Sequence, residues 1–137
     1  MSDSEPDLAD TDYAVLADFR FALRRFVAFS EGKALDCGLT PQQHQALLAI
    51  RAAPEGRATI GYVAERLILK PHSASGLVDR LEALGLLKRA PSASDRRQSI
   101  LRLTAESEAV LQRLSATHRE EIRRLRPLLT GLLERIG

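Results

Sequence analysis

The 137-residue chain has one cysteine, Cys37, no tryptophan, and only 4% aromatic residues. A single thiol cannot close a disulfide within the chain, and no second cysteine is present to complete a CxxC metal or redox pair. No apolar run approaches the roughly 20 residues that span a bilayer. The opening stretch, MSDSEPDLADTD, is acidic where a secretory leader is basic, so a cytoplasmic protein is expected. A Gly-rich phosphate loop, a GxSxG elbow and an HExxH pair are all missing. The three histidines, His44, His72 and His118, fall on three different predicted helices. No acid, base and nucleophile converge, so neither an enzyme nor a bound cofactor is expected. A closed zinc site would need ligands from two copies of the chain. Internal repeats and low-complexity segments are absent too.

What is present is an ordinary globular composition, 45% hydrophobic and 28% charged, in a chain long enough for one core. The net charge is only +2, but it is unevenly spread. Residues 1–36 hold four Lys/Arg against eight Asp/Glu, a net of −4, whereas residues 58–104 hold eight against four, a net of +4. Any polyanion should therefore meet the middle of the chain.

Apolar periodicity predicts a first helix through Leu16, Phe19, Leu23, Phe26 and Val27, with Gly32 and Gly38 at its ragged end. Thr40-Pro41 reads as the start of a second helix, which carries Ala46, Leu47 and Ile50 and stops at the Pro54-Glu55-Gly56 turn. Thr59 caps a short third helix with Ile60, Val63, Ala64 and Leu67 on one face. After Ile68, Leu69 and Lys70, Pro71 opens a fourth helix that runs to Leu84. Two helices joined so tightly are the mark of a helix-turn-helix.

The period then changes to two. Leu86–Arg89 and Ser99–Leu103 predict a hairpin, with Leu101 and Leu103 on one face and a long polar loop between the strands. Thr104 caps a long helix that Pro127 is expected to kink or end, followed by a final helix with Leu128, Leu129, Leu132, Leu133 and Ile136. The fold class is thus mainly α with a small β-hairpin wing, a winged helix-turn-helix. Residues 1–38 are expected to form a tail and dimerisation helix, 39–104 the winged helix-turn-helix domain and 105–137 the C-terminal dimerisation helices. Leu16, Phe19, Leu125, Leu129, Leu132, Leu133 and Ile136 lie on terminal helices with little else to cover them, and a second copy is expected there.

On the fourth helix, 100° steps put Ala74, Leu77, Val78, Leu81 and Leu84 on the core arc and His72, Ser75, Gly76 and Asp79 on the outer arc. A slim polar helix end can enter a major groove, where serine or histidine bonds to base edges or phosphate. Lys70 is within reach of a phosphate. On the loop, Arg96 and Arg97 suit a narrow minor groove, with Asp95 holding one of them. Each of these residues also has a plain reading as solvated surface, and a winged helix that binds an acidic protein partner instead of DNA is the main alternative. Salt dependence separates the two, because duplex binding releases counterions.

From Leu39 to about Leu114 the sequence resembles the MarR family of winged-helix transcriptional regulators. The resemblance is carried by Leu77-Val78-Asp79-Arg80-Leu81-Glu82, by Gly85-Leu86-Leu87, and by Asp95-x-Arg97 followed, after five intervening residues, by Leu103-Thr104. It implies a homodimer on a palindromic operator, terminal helices at the dimer interface, and release of DNA by a small-molecule effector or an oxidant. Pro71, Ser73 and Ser75 match the opening of the family's recognition helix, and Arg97 matches its wing arginine. Four positions differ from the family's common residues: Ile68 in place of a turn glycine, Lys70 in place of a Ser or Asn cap, Gly76 in place of a base-reading arginine, and Ser107 in place of a glycine. Without that arginine, readout falls to His72, Ser73, Ser75 and DNA shape. Oxidant-sensing relatives make Cys37 a candidate redox residue, although it lies after the first helix and has no partner cysteine.

Overall fold

A computed structural model describes residues 6–92 and 97–136. The elements are α1 (Asp10–Asp36), α2 (Pro41–Ala52), α3 (Ile60–Leu67), α4 (Pro71–Ala83), β1 (Leu87–Pro91), β2 (Ser99–Leu103) and α5 (Ala105–Arg135). Contacts divide the chain into two units, residues 31–116 and residues 1–30 with 117–137. Among the described residues, no helix is long and apolar enough to cross a membrane.

The 31–116 unit is punctuated by its caps. The Thr40 hydroxyl accepts from the Gln43 N–H at 3.1 Å, and the Gln43 side chain accepts from the Thr40 N–H at 3.0 Å. Pro41 follows at a position where its missing N–H costs nothing. Thr59 caps α3 by accepting from the Tyr62 N–H at 3.1 Å. Ala74, Leu77, Val78 and Leu81 of α4 are buried with Leu47, Ile50, Val63, Leu101, Leu111 and Leu114 in one core. Those contacts fix α4 on the scaffold and decide which of its faces remains outside.

In the antiparallel hairpin, Leu87 opposes Leu103 and Arg89 opposes Leu101. Leu87, Leu101 and Leu103 are buried while Lys88 and Arg102 point out, the alternation expected of a strand pair covered on one face. The Leu101 N–H also donates to the Ala58 carbonyl at 2.7 Å, tying β2 to the segment ahead of α3. Beyond the hairpin, Thr104 and Ser107 cap α5 reciprocally: the Thr104 N–H donates to the Ser107 Oγ at 2.9 Å, and the Ser107 N–H to the Thr104 Oγ1 at 3.3 Å.

In the other unit, Val15 and Ala22 of α1 and Leu132 of α5 are buried. His118 bonds the Ser30 hydroxyl at 2.8 Å and sits edge-on to Phe26 and Phe29. Arg135 reaches Asp18 at 3.3 Å.

Several expectations change. Pro127 neither ends nor divides the C-terminal segment, so two expected helices are one, α5. Proline fixes a helical φ and removes one hydrogen bond, and the helix beyond it is held by burying Leu132. Gly32 likewise lies inside α1, which ends only at Asp36. On α1, Val15, Ala22 and Ala34 are buried and Phe26 and Phe29 half-buried, while Leu16 and Phe19, expected to meet a second copy, are exposed in the single chain, as are Leu23 and Val27. Leu84, expected on the core arc, is the C-cap of α4 and is 57% exposed. His44 is buried on α2.

Candidate nucleic-acid interface

At the start of α4, Lys70, Pro71, His72 and Ser73 are exposed, and Ser75 and Gly76 are half-buried. Lys70 is the N-cap residue and makes no side-chain cap hydrogen bond. The first backbone N–H groups of a 13-residue helix therefore face outward at its positive end, a setting that favours an anion. A Cβ added at Gly76 would meet nothing within 4 Å, so the absence of a side chain there is not imposed by packing.

On the hairpin, Arg97 is exposed in the turn leading to β2. The Ser92 N–H donates to the Gln98 carbonyl at 3.2 Å and closes the ladder beneath the loop. Asp95 and Arg96 lie outside the described residues.

Two links set the hairpin against α4. Arg89 of β1 donates to Asp79 and lies 3.4 Å from Glu82, so one guanidinium spans two carboxylates a turn apart on the helix. The Thr104 hydroxyl donates to the Gly85 carbonyl at 2.8 Å, joining the end of β2 to the turn after α4. The sequence reading missed the role of Arg89. Its signal was the pair of acids at i and i+3 on an outer helical arc, followed by a basic residue on the next strand.

Away from the loop, Arg51, Lys88 and Arg102 surround a hollow of about 330 Å³ floored by Ile50, Leu101 and Leu103. Lys88 and Arg102 are direct cross-strand partners. Glu108 lies 3.2 Å from Arg51.

Among the residues expected at a dimer interface, Leu16, Phe19, Leu129, Leu132, Leu133 and Ile136 line one apolar hollow of about 330 Å³ together with Val15. Leu125 lines a separate hollow with Phe21, Arg25 and Arg124. Leu132 is only 3% exposed and packs within its own chain, whereas Leu133 is 72% exposed. Cys37 is half-buried in the turn after α1, packed against the core of its unit.

A family model described as the MarR family matches residues 38–98, the span from the turn after α1 to the hairpin loop. Among curated proteins none matches. Among solved structures, the transcriptional regulator Tm0710 from Thermotoga maritima is 31% identical, with 81% of this chain and 80% of that one covered and a TM-score of 0.60. AbsC, a MarR family transcriptional regulator from Streptomyces coelicolor, is 21% identical over 88% of this chain and 81% of its own, with a TM-score of 0.70. A point mutant of MepR from S. aureus bound to an oligodeoxyribonucleotide is 20% identical over 96% of this chain and all (100%) of its own, with a TM-score of 0.68. The last two show the shared fold. The family match on the winged helix and the 31% identical regulator establish that the chain belongs to the MarR family of winged-helix transcriptional regulators.

Proposed function

We propose that the protein is a double-stranded DNA-binding repressor that acts as a homodimer on a palindromic operator. The α4 end from Lys70 to Gly76 enters the major groove, and the loop bearing Asp95, Arg96 and Arg97 enters the adjacent minor groove. The observation that carries this reading is the pairing of a slim, uncapped α4 end with the exposed Arg97 on a hairpin tied to the same helix through Arg89. Helix amides and Lys70 supply phosphate contacts, and His72, Ser73 and Ser75 supply short polar contacts to base edges. The oligonucleotide-bound MepR structure supports the same use of the shared fold.

Dimerisation is proposed through α1 and α5, whose Leu16, Phe19, Leu133 and Ile136 present apolar surface to solvent in a single chain. Two-fold symmetry then calls for an inverted repeat with half-sites about one helical turn, roughly 34 Å, apart. A small-molecule effector that releases the DNA is proposed on the precedent of the family.

Selection from a random duplex library with the full chain tests the reading. Enrichment of an inverted repeat is expected, and recovery of sequences no different from the input would contradict it.

A further inference from the structure

Ile68 caps α3 with φ 55° and ψ 53°, and among the described residues it is the one residue other than glycine with a positive φ. The left-handed region is disfavoured for a β-branched side chain, and glycine is at ease there. Burial offers no return for the strain, because Ile68 is 91% exposed. A glycine at this position would relieve the backbone and lose almost no packing, so nothing in the fold of the single chain accounts for the isoleucine. Strain at one exposed residue points to a use outside the chain.

Its position suggests that use. Ile68 stands two residues before Lys70, at the same end of α4 where Lys70, Pro71, His72 and Ser73 are exposed. Those side chains, with Ser75 and Gly76, offer hydrogen bonds and open space but little branched apolar surface. Thymine differs from the other bases in the major groove by its C5 methyl group, which is read by apolar contact.

We propose that Ile68 is a specificity-determining DNA contact that reads a thymine methyl group at the edge of each operator half-site. The inference rests on the DNA-binding reading above. Contact with the base removes the exposed apolar surface that the free protein carries, and it gives the helix end a discrimination that Gly76 cannot supply.

The test uses the full chain and the duplex recovered by selection, with each thymine of a half-site replaced in turn by uracil, which deletes only the methyl group. For the unsubstituted protein, affinity should fall about three- to fivefold at one thymine per half-site, the loss expected for one buried methyl. Ile68→Gly should melt no lower than the parent, bind the thymine duplex more weakly, and no longer respond to uracil at that position. Ile68→Asn, a second residue that tolerates this backbone, should behave likewise. Retention of the uracil response by both variants would overturn the inference and leave the DNA-binding reading standing. Failure of the unsubstituted protein to bind any duplex would overturn both.

Discussion

The guanidinium of Arg89 on β1 bridges the carboxylates of Asp79 and Glu82 on α4. Arg89 stands opposite Leu101 in the hairpin register, and its side chain is 32% exposed, against 50–80% for the arginines of the other ion pairs among the described residues. Its effect is to fix the rotation of the hairpin relative to the helix that the proposal places in the groove.

Arg89→Ala should therefore lower stability by about 1 kcal/mol, near the upper end for partly exposed pairs. Duplex binding should suffer beyond that, because the loop and the helix end no longer share one geometry. Arg89→Lys keeps the charge but cannot span both acids, and should fall between. Thermal melts alongside fluorescence anisotropy on labelled duplex check both effects. Equal affinity for all three proteins would mean that the bridge does not position the hairpin.

Ser107 is fully buried and completes the reciprocal cap with Thr104. Replacing it with glycine, the common residue of the family, should cost about 1 kcal/mol, since the Thr104 N–H loses its acceptor. Urea denaturation measures this. An unchanged midpoint would show that water replaces the cap without cost.

Gly76 has open space where a side chain would begin. Gly76→Arg should raise the melting temperature, because glycine inside a helix costs roughly 0.5–1 kcal/mol relative to a good helix former. It should also shift the selected site toward guanine at one position per half-site through a bidentate contact. Repeated duplex selection with the variant reads that shift.

Much of this architecture was legible because short-range chemistry fixes it. Thr40-Pro41, Thr59 and Pro71 announce helix starts through groups that sit within one turn of each other, and the Leu101/Leu103 alternation announces a covered strand. The failures arose where distant packing outweighs local preference. Pro127 reads locally as a break, yet α5 passes through it and buries Leu132 further on. On α1 the periodicity showed the helix but not which small residues its own chain covers: Val15, Ala22 and Ala34 are buried, while Leu16 and Phe19, expected to meet a second copy, are exposed in the single chain. Arg89 was missed for a similar reason: its partners are ten and seven residues away on another element, and the acid pair that signals the contact sits on the helix, not beside the arginine.

Leu132 and Leu133 separate two kinds of apolar residue on α5. Leu133→Arg should dissociate the proposed dimer and leave helical content intact, because the residue is 72% exposed. Leu132→Arg should destabilise the chain itself by several kcal/mol, since it forces a charge into a buried position. Light scattering with circular dichroism distinguishes them. A Leu133→Arg protein that remained dimeric would move the interface elsewhere.

The central claim is that the α4 end and the hairpin loop together hold a duplex, and a salt titration of duplex affinity tests it most directly. For the unsubstituted protein, the logarithm of the association constant should fall steeply and linearly with the logarithm of salt concentration, with a slope near −0.9 for each phosphate neutralised. Arg97→Ala should weaken binding by about 1 to 3 kcal/mol and reduce the slope by about 1. Affinity indifferent to salt, or an Arg97→Ala titration that overlays the parent curve, would contradict it.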